Sequence, residues 1–120
     1  MAYEFFLDAL HTLPLHPKNM FGVTAYYLED YLLFALNTNK KYPNDIGIWV
    51  ATPLETQEEL TKLLDEWRYL QRIPTKKYVL LPAESDTFEA DARTITELIL
   101  NRSTLIGTLP KKKSSQRKSD

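Results

Sequence analysis

The chain has 120 residues, of which 43% are hydrophobic and none is cysteine, and its formal net charge is −1. That is room for one domain with one core, and it excludes a disulfide framework, thiolate zinc sites and thiol catalysis. The charge is unevenly placed: positions 111–120 hold five cations against one acid, net +4, so a total of −1 puts −5 on residues 1–110 and makes that body a poor electrostatic match for a phosphate backbone.

Taken in chain order, Tyr3, Phe6, Leu7 and Leu10 follow the spacing of one helix face, which predicts a helix over Ala2–Thr12. The segment before them has an acid at Glu4 and no basic region, so it reads as a helix start and not as a signal peptide. Pro14 and Pro17 end the helix and predict a loop over Leu13–Asn19. Gly22–Asn37 is rich in β-branched and aromatic residues and predicts two strands around a Glu29-Asp30 turn. In that register Ala25 faces Phe34 and Val23 faces Leu36. Val23, Ala25, Tyr27, Leu32, Phe34 and Leu36 then form the core side, while Tyr26, Tyr31 and Leu33 lie opposite. Residues 37–45 read as a loop and Ile46–Ala51 as a third strand, with Ile48 and Val50 on one face and Trp49 and Ala51 on the other. Thr52-Pro53-Leu54-Glu55 is a helix start. Leu60, Leu63, Leu64, Trp67 and Leu70 extend its stripe until Pro74 stops it. Tyr78–Leu81 is a short strand. A last helix starts at Ser85 or Asp86 and carries Phe88, Ala92, Ile95 and Ile99 on one side.

The order α-β-β-β-α-β-α predicts an α+β domain over residues 1–110, with an antiparallel sheet of about four strands and helices mainly on one face. Residues 111–120 follow as a basic, disordered tail. No run approaches the roughly 18 consecutive apolar residues of a membrane helix, so no membrane contact and a cytoplasmic location are expected.

Two stretches resemble a known family. Met20-Phe21-Gly22, followed by Val23–Leu28 and Leu33–Leu36, resembles the start of the TfoX N-terminal domain, where a Met-Phe-Gly motif enters a hairpin after a first helix. Ile95–Lys112, with Ser103-Thr104-Leu105-Ile106 and then Leu109-Pro110-Lys111, is similar to the end of the related YjbR group. The resemblance implies a compact α+β fold and brings no established activity. TfoX proteins are linked to competence regulation and YjbR-like folds have been discussed as DNA binders, but neither role attaches to particular residues here.

The chemistry-bearing residues make no catalytic or metal pattern. His11 and His16 lack the helical i, i+4 spacing of a zinc pair. Glu55, Glu58 and Glu59, and Asp86, Glu89 and Asp91, fall in first turns of predicted helices, where the dipole alone favours acids. No serine sits in a nucleophile elbow, and the three glycines make no phosphate loop. Within Met20-Phe21-Gly22, Phe21 is expected in the core and Gly22 at a sharp turn. The expectation is a non-enzymatic interaction or regulatory domain without cofactor or metal. Its contact surface for another protein, or for a second copy in a homodimer, would be the aromatic sheet face of Tyr26, Tyr31, Leu33 and Trp49. One alternative is nucleic-acid binding through Lys111, Lys112, Lys113, Arg117 and Lys118. Another is a small-ligand binder or enzyme with a site between the hairpin and the first helix.

Overall fold

Tyr3, Phe6 and Leu10 are all buried, and the chain between them is helical over Glu4–Ala9, α1. The structure, a computed structural model, describes residues 3–20, 22–73 and 75–109. One and a half turns cannot hold as a helix in water alone, so packing holds α1 in place. Phe6 meets Phe34 edge-on at 4.8 Å, Tyr3 lies tilted against Phe88 at 6.1 Å, and the Tyr3 hydroxyl donates to the Asn37 carbonyl at 2.7 Å.

The sheet has five antiparallel strands in chain order: β1 His16–Met20, β2 Val23–Leu28, β3 Tyr31–Asn37, β4 Gly47–Ala51 and β5 Tyr78–Pro82. The first strand corrects the loop expected over Leu13–Asn19, because His16–Met20 pairs with β2 from His16↔Tyr27 to Met20↔Val23. An edge strand uses only the N–H groups on its paired side, so Pro17 fits there although it would break a central strand. The turn into β2 places Gly22 at φ 82°, a left-handed conformation that glycine adopts freely. Phe21 beside it, expected in the core, lies outside the described residues, as does Pro74.

The hairpin turns at Glu29-Asp30 with Leu28↔Tyr31 and Tyr27↔Leu32 paired, as the sequence predicts, and then departs from the expected register. A bulge shifts the partners to Tyr26↔Phe34, Ala25↔Ala35 and Thr24↔Leu36, so neither Ala25–Phe34 nor Val23–Leu36 forms. Leu33 is the extra residue, and beyond it β3 is turned over relative to strict alternation. Leu33, Phe34 and Leu36 therefore join Leu28, Ile48, Val50, Val79 and Leu81 in the main core. Val23, Ala25, Tyr27 and Leu32 belong with Ala35, Trp49, Ala51, Tyr78 and Leu80 on the other side.

The three α-helices among the described residues lie against the main core, which receives Tyr3, Phe6 and Leu10 from the α1 region and Leu60 from α2 (Gln57–Thr61). Phe88, Ala92, Ile95 and Ile99 enter it from α3 (Phe88–Leu100), the stripe the sequence predicts. The helix expected to run on through Leu70 stops at Thr61, and Leu63 is 49% exposed. Residues 62–73 and 75–77 instead form an irregular strap whose Leu70 and Ile73 cover the second face. Polar anchors claim the N–H groups a helix would use. The buried Asp91 carboxylate accepts from Asp65 N at 2.8 Å and Glu66 N at 3.1 Å. The buried Asp45 carboxylate accepts from Gln71 N at 2.9 Å and Arg72 N at 2.8 Å. Arg68 exchanges backbone hydrogen bonds with Leu80 at 3.1 and 2.8 Å, which occupies the outer edge of β5. Among the described residues, no helix is long and apolar enough to cross a membrane.

Each apolar layer contains one tyrosine whose ionisation opposes folding. Burial pushes the Tyr3 phenol up to about 12. Burial, and then the neighbouring Tyr27, push Tyr78 up to about 12. Because the folded-state value lies above the unfolded value of about 10, the stability each provides is full below pH 10 and is lost as pH rises through about 12. The unfolding free energy measured by denaturant titration from pH 8 to 12 should fall over that window. The Tyr3→Phe, Tyr78→Phe double variant should show a clearly shallower fall. An identical fall would refute the assignment.

Candidate functional site

Two turns face each other where the β2–β3 hairpin tip meets the end of α3. At the hairpin, Glu29 is the first turn residue and has φ 57°, the positive φ that the favoured two-residue hairpin turns need there and that Gly, Asn or Asp usually supplies. At the end of α3, Ser103 N donates to Leu98 O at 2.9 Å and Arg102 N donates to Ile99 O at 3.0 Å. That pattern is a Schellman cap, and its left-handed residue is Arg102, φ 57°, again where glycine is usual.

The chain then returns over the sheet. Leu32 N donates to Thr108 O at 2.8 Å, Thr108 N donates back to Leu32 O at 3.0 Å, and Gly107 N donates to Ala51 O at 2.8 Å. Leu32 lies beyond the last β3–β4 pair, Phe34↔Val50, so residues 107 and 108 take up the backbone positions that β4 leaves unfilled. The return path leaves a cavity of about 420 Å³ between hairpin, cap and returning segment. Leu28, Leu33, Ile99 and Ile106 are buried and form its apolar floor, and Glu29, Tyr31, Arg102, Ser103 and Thr104 form the rim. Leu105 N donates to Ser103 Oγ at 3.1 Å, which leaves the Ser103 O–H available as a donor. Among the described residues neither Glu29 nor Arg102 is in an ion pair.

The structure divides the expected contact surface. Tyr31, 45% exposed, and Leu33, 6% exposed, line this cavity. Tyr26 is half-buried and stacks on Phe34 at 5.0 Å. Trp49 is fully buried on the opposite face, edge-on to Tyr78 at 5.6 Å, with Nε1 donating to Asp45 O at 2.8 Å. Tyr26, Tyr31 and Leu33 stay on the helix side of the sheet, and the register shift puts Trp49 on the opposite side with Leu70 and Ile73 of the strap, so the four residues do not form one surface. Lys111, Lys112, Lys113, Arg117 and Lys118 lie outside the described residues.

His11 donates from Nδ1 to Asp8 O at 2.8 Å, and His16 is exposed in β1. Among the described residues no group of three or more His, Asp or Glu side chains converges as a metal site would require. Glu55, Glu58, Glu59, Asp86 and Glu89 are exposed, whereas Asp91 is buried and also accepts from Thr87 Oγ1 at 2.9 Å. Sequence reasoning missed Glu29, Arg102 and Ser103. Their trace was a hairpin turn and a helix end that both lack glycine. No family model, curated protein or solved structure compared with the chain matches it.

Proposed function

We propose that the protein is a non-catalytic binding domain whose ligand site is the cavity between the β2–β3 hairpin tip and the cap of α3. The observation that carries this reading is the cavity itself, about 420 Å³ with an alkyl floor and a charged, hydroxyl-bearing rim. Its volume and layout match small-molecule sites, where apolar walls provide affinity and a few polar groups fix orientation. The floor consists of Leu28, Leu33, Ile99 and Ile106, which suits enclosing the apolar part of a ligand. The resemblance to TfoX N-terminal and YjbR-like domains adds no ligand to this reading.

Anilinonaphthalene sulfonate, an anionic apolar dye, tests it. One dye per chain should bind with enhanced fluorescence, and Thr104→Trp should abolish binding. Thr104 is an exposed rim residue, so an indole there fills the mouth without entering the core. Dye binding that Thr104→Trp leaves unchanged, or no binding to the folded chain, would remove the proposal.

A further inference from the structure

Resting on the cavity as ligand site, we propose that its ligand is a small zwitterion with an apolar body: a free apolar amino acid or a short apolar peptide. The rim presents one charge of each sign, Glu29 on the hairpin and Arg102 on the cap, and neither is ion-paired among the described residues. Two opposite charges flanking an alkyl floor suit a molecule with a carboxylate, an ammonium and hydrocarbon between or beside them. The Arg102 guanidinium takes the carboxylate as a planar fork, with the Ser103 hydroxyl as a further donor. Glu29 takes the ammonium, and Leu28, Leu33, Ile99 and Ile106 enclose the apolar part.

Backbone strain supports the same assignment independently. Glu29 and Arg102 are the only non-glycine residues with positive φ among the described residues, and both line this one cavity. Each occupies a turn position that glycine would fill with less strain. Strained residues held against the backbone's preference cluster at ligand sites, where the side chain is what is needed. The α3 dipole by itself favours a cation at Arg102, whereas a zwitterion site uses both charges.

Calorimetric titration of the full chain tests this with L-leucine and leucyl-leucine, beside leucinamide, which lacks the carboxylate, and N-acetyl-leucine, which lacks the ammonium. At least one zwitterion should bind at least about tenfold more tightly than either blocked analogue, since each lost charged contact is worth about one decade or more. Which of the two zwitterions binds more tightly separates a free amino acid from a peptide terminus. Arg102→Gly should erase the preference over leucinamide and Glu29→Gly the preference over N-acetyl-leucine. Both variants should keep or raise the melting temperature, by up to about 5 °C. Equal binding of zwitterions and blocked analogues, or discrimination that survives both glycine variants, overturns the proposal. If no zwitterion binds but the dye still binds and Thr104→Trp still blocks it, the ligand class is wrong and the cavity reading stands. Loss of the dye result as well removes both.

Discussion

Gly47→Ala should remove at least about 3 kcal/mol of folding stability, a large share of the 5–15 kcal/mol typical of a small domain. Gly47 opens β4 with φ 151°, a backbone conformation that residues with a Cβ rarely adopt. A Cβ built there meets the Leu81 carbonyl oxygen at 2.0 Å, the Leu81 carbonyl carbon at 3.0 Å and Ala83 N at 3.1 Å. These are backbone atoms of the paired strand and cannot swing aside as a side chain does. Relief requires β4 and β5 to part where Gly47 faces Pro82 and where Ala83 N donates to Ile46 O at 3.0 Å. Ile48, Trp49 and Val50 follow at once and are wholly buried, so the displacement reaches both apolar layers. Gly22→Ala is the internal comparison. Its φ is 82°, but the nearest atom is the end of a side chain, Asn39 Nδ2 at 2.8 Å, so its loss should stay near 1–2 kcal/mol. Urea denaturation of both variants checks the ordering. Gly47→Ala within 1 kcal/mol of the parent would show that this close approach does not exist.

The same strand shows where sequence pattern sufficed. In β4, alternation placed Ile48 and Val50 on one side and Trp49 and Ala51 on the other, and the two cores divide them that way. In β3 the pattern failed because Leu32-Leu33-Phe34-Ala35-Leu36 has no polar residue to mark the phase. Absorbing Leu33 in a bulge leaves two consecutive apolar residues on the main-core side, a gain in burial that strict alternation cannot express. The helical stripe Leu60–Leu70 was a true amphipathic signal overridden by tertiary contacts. Asp91 and Asp45, each about 25 residues away in sequence, bind the N–H groups of residues 65, 66, 71 and 72. No local window contains that competition. The cavity was hidden for a related reason. All three glycines occupy positive-φ positions, and two further such positions are filled by Glu29 and Arg102, which look ordinary in the sequence and become informative only when their dihedrals are known.

Asp45→Ala should unlatch the strap and cost about 3–5 kcal/mol, the scale for removing one partner from a buried charged network. The carboxylate is fully buried. Its two oxygens receive Gln71 N and Arg72 N, with Arg68 Nη1 at 3.5 Å from Oδ1. Arg68 also donates through Nη2 to the Asn44 carbonyl. Removing the carboxylate leaves the part-buried N–H groups of Gln71 and Arg72 without their acceptor and leaves the Arg68 guanidinium with the Asn44 carbonyl. Asp45→Asn keeps one acceptor oxygen and should lose roughly half as much, which separates hydrogen bonding from packing. The consequence should be local before it is global. The strap supplies Leu70 and Ile73 over Trp49, so its release uncovers the second face while the helix-side core stays closed. Hydrogen exchange in Asp45→Ala should therefore accelerate first at residues 65–73 and at Leu80, whose N–H is held by Arg68 O at 2.8 Å, ahead of the amides of Ile95 and Ile99 in α3. Limited proteolysis should cut within residues 62–77 at denaturant concentrations below the global midpoint. Uniform acceleration across strap and α3 would mean that the strap is no separate unit, and that the Asp45 carboxylate stabilises the whole fold.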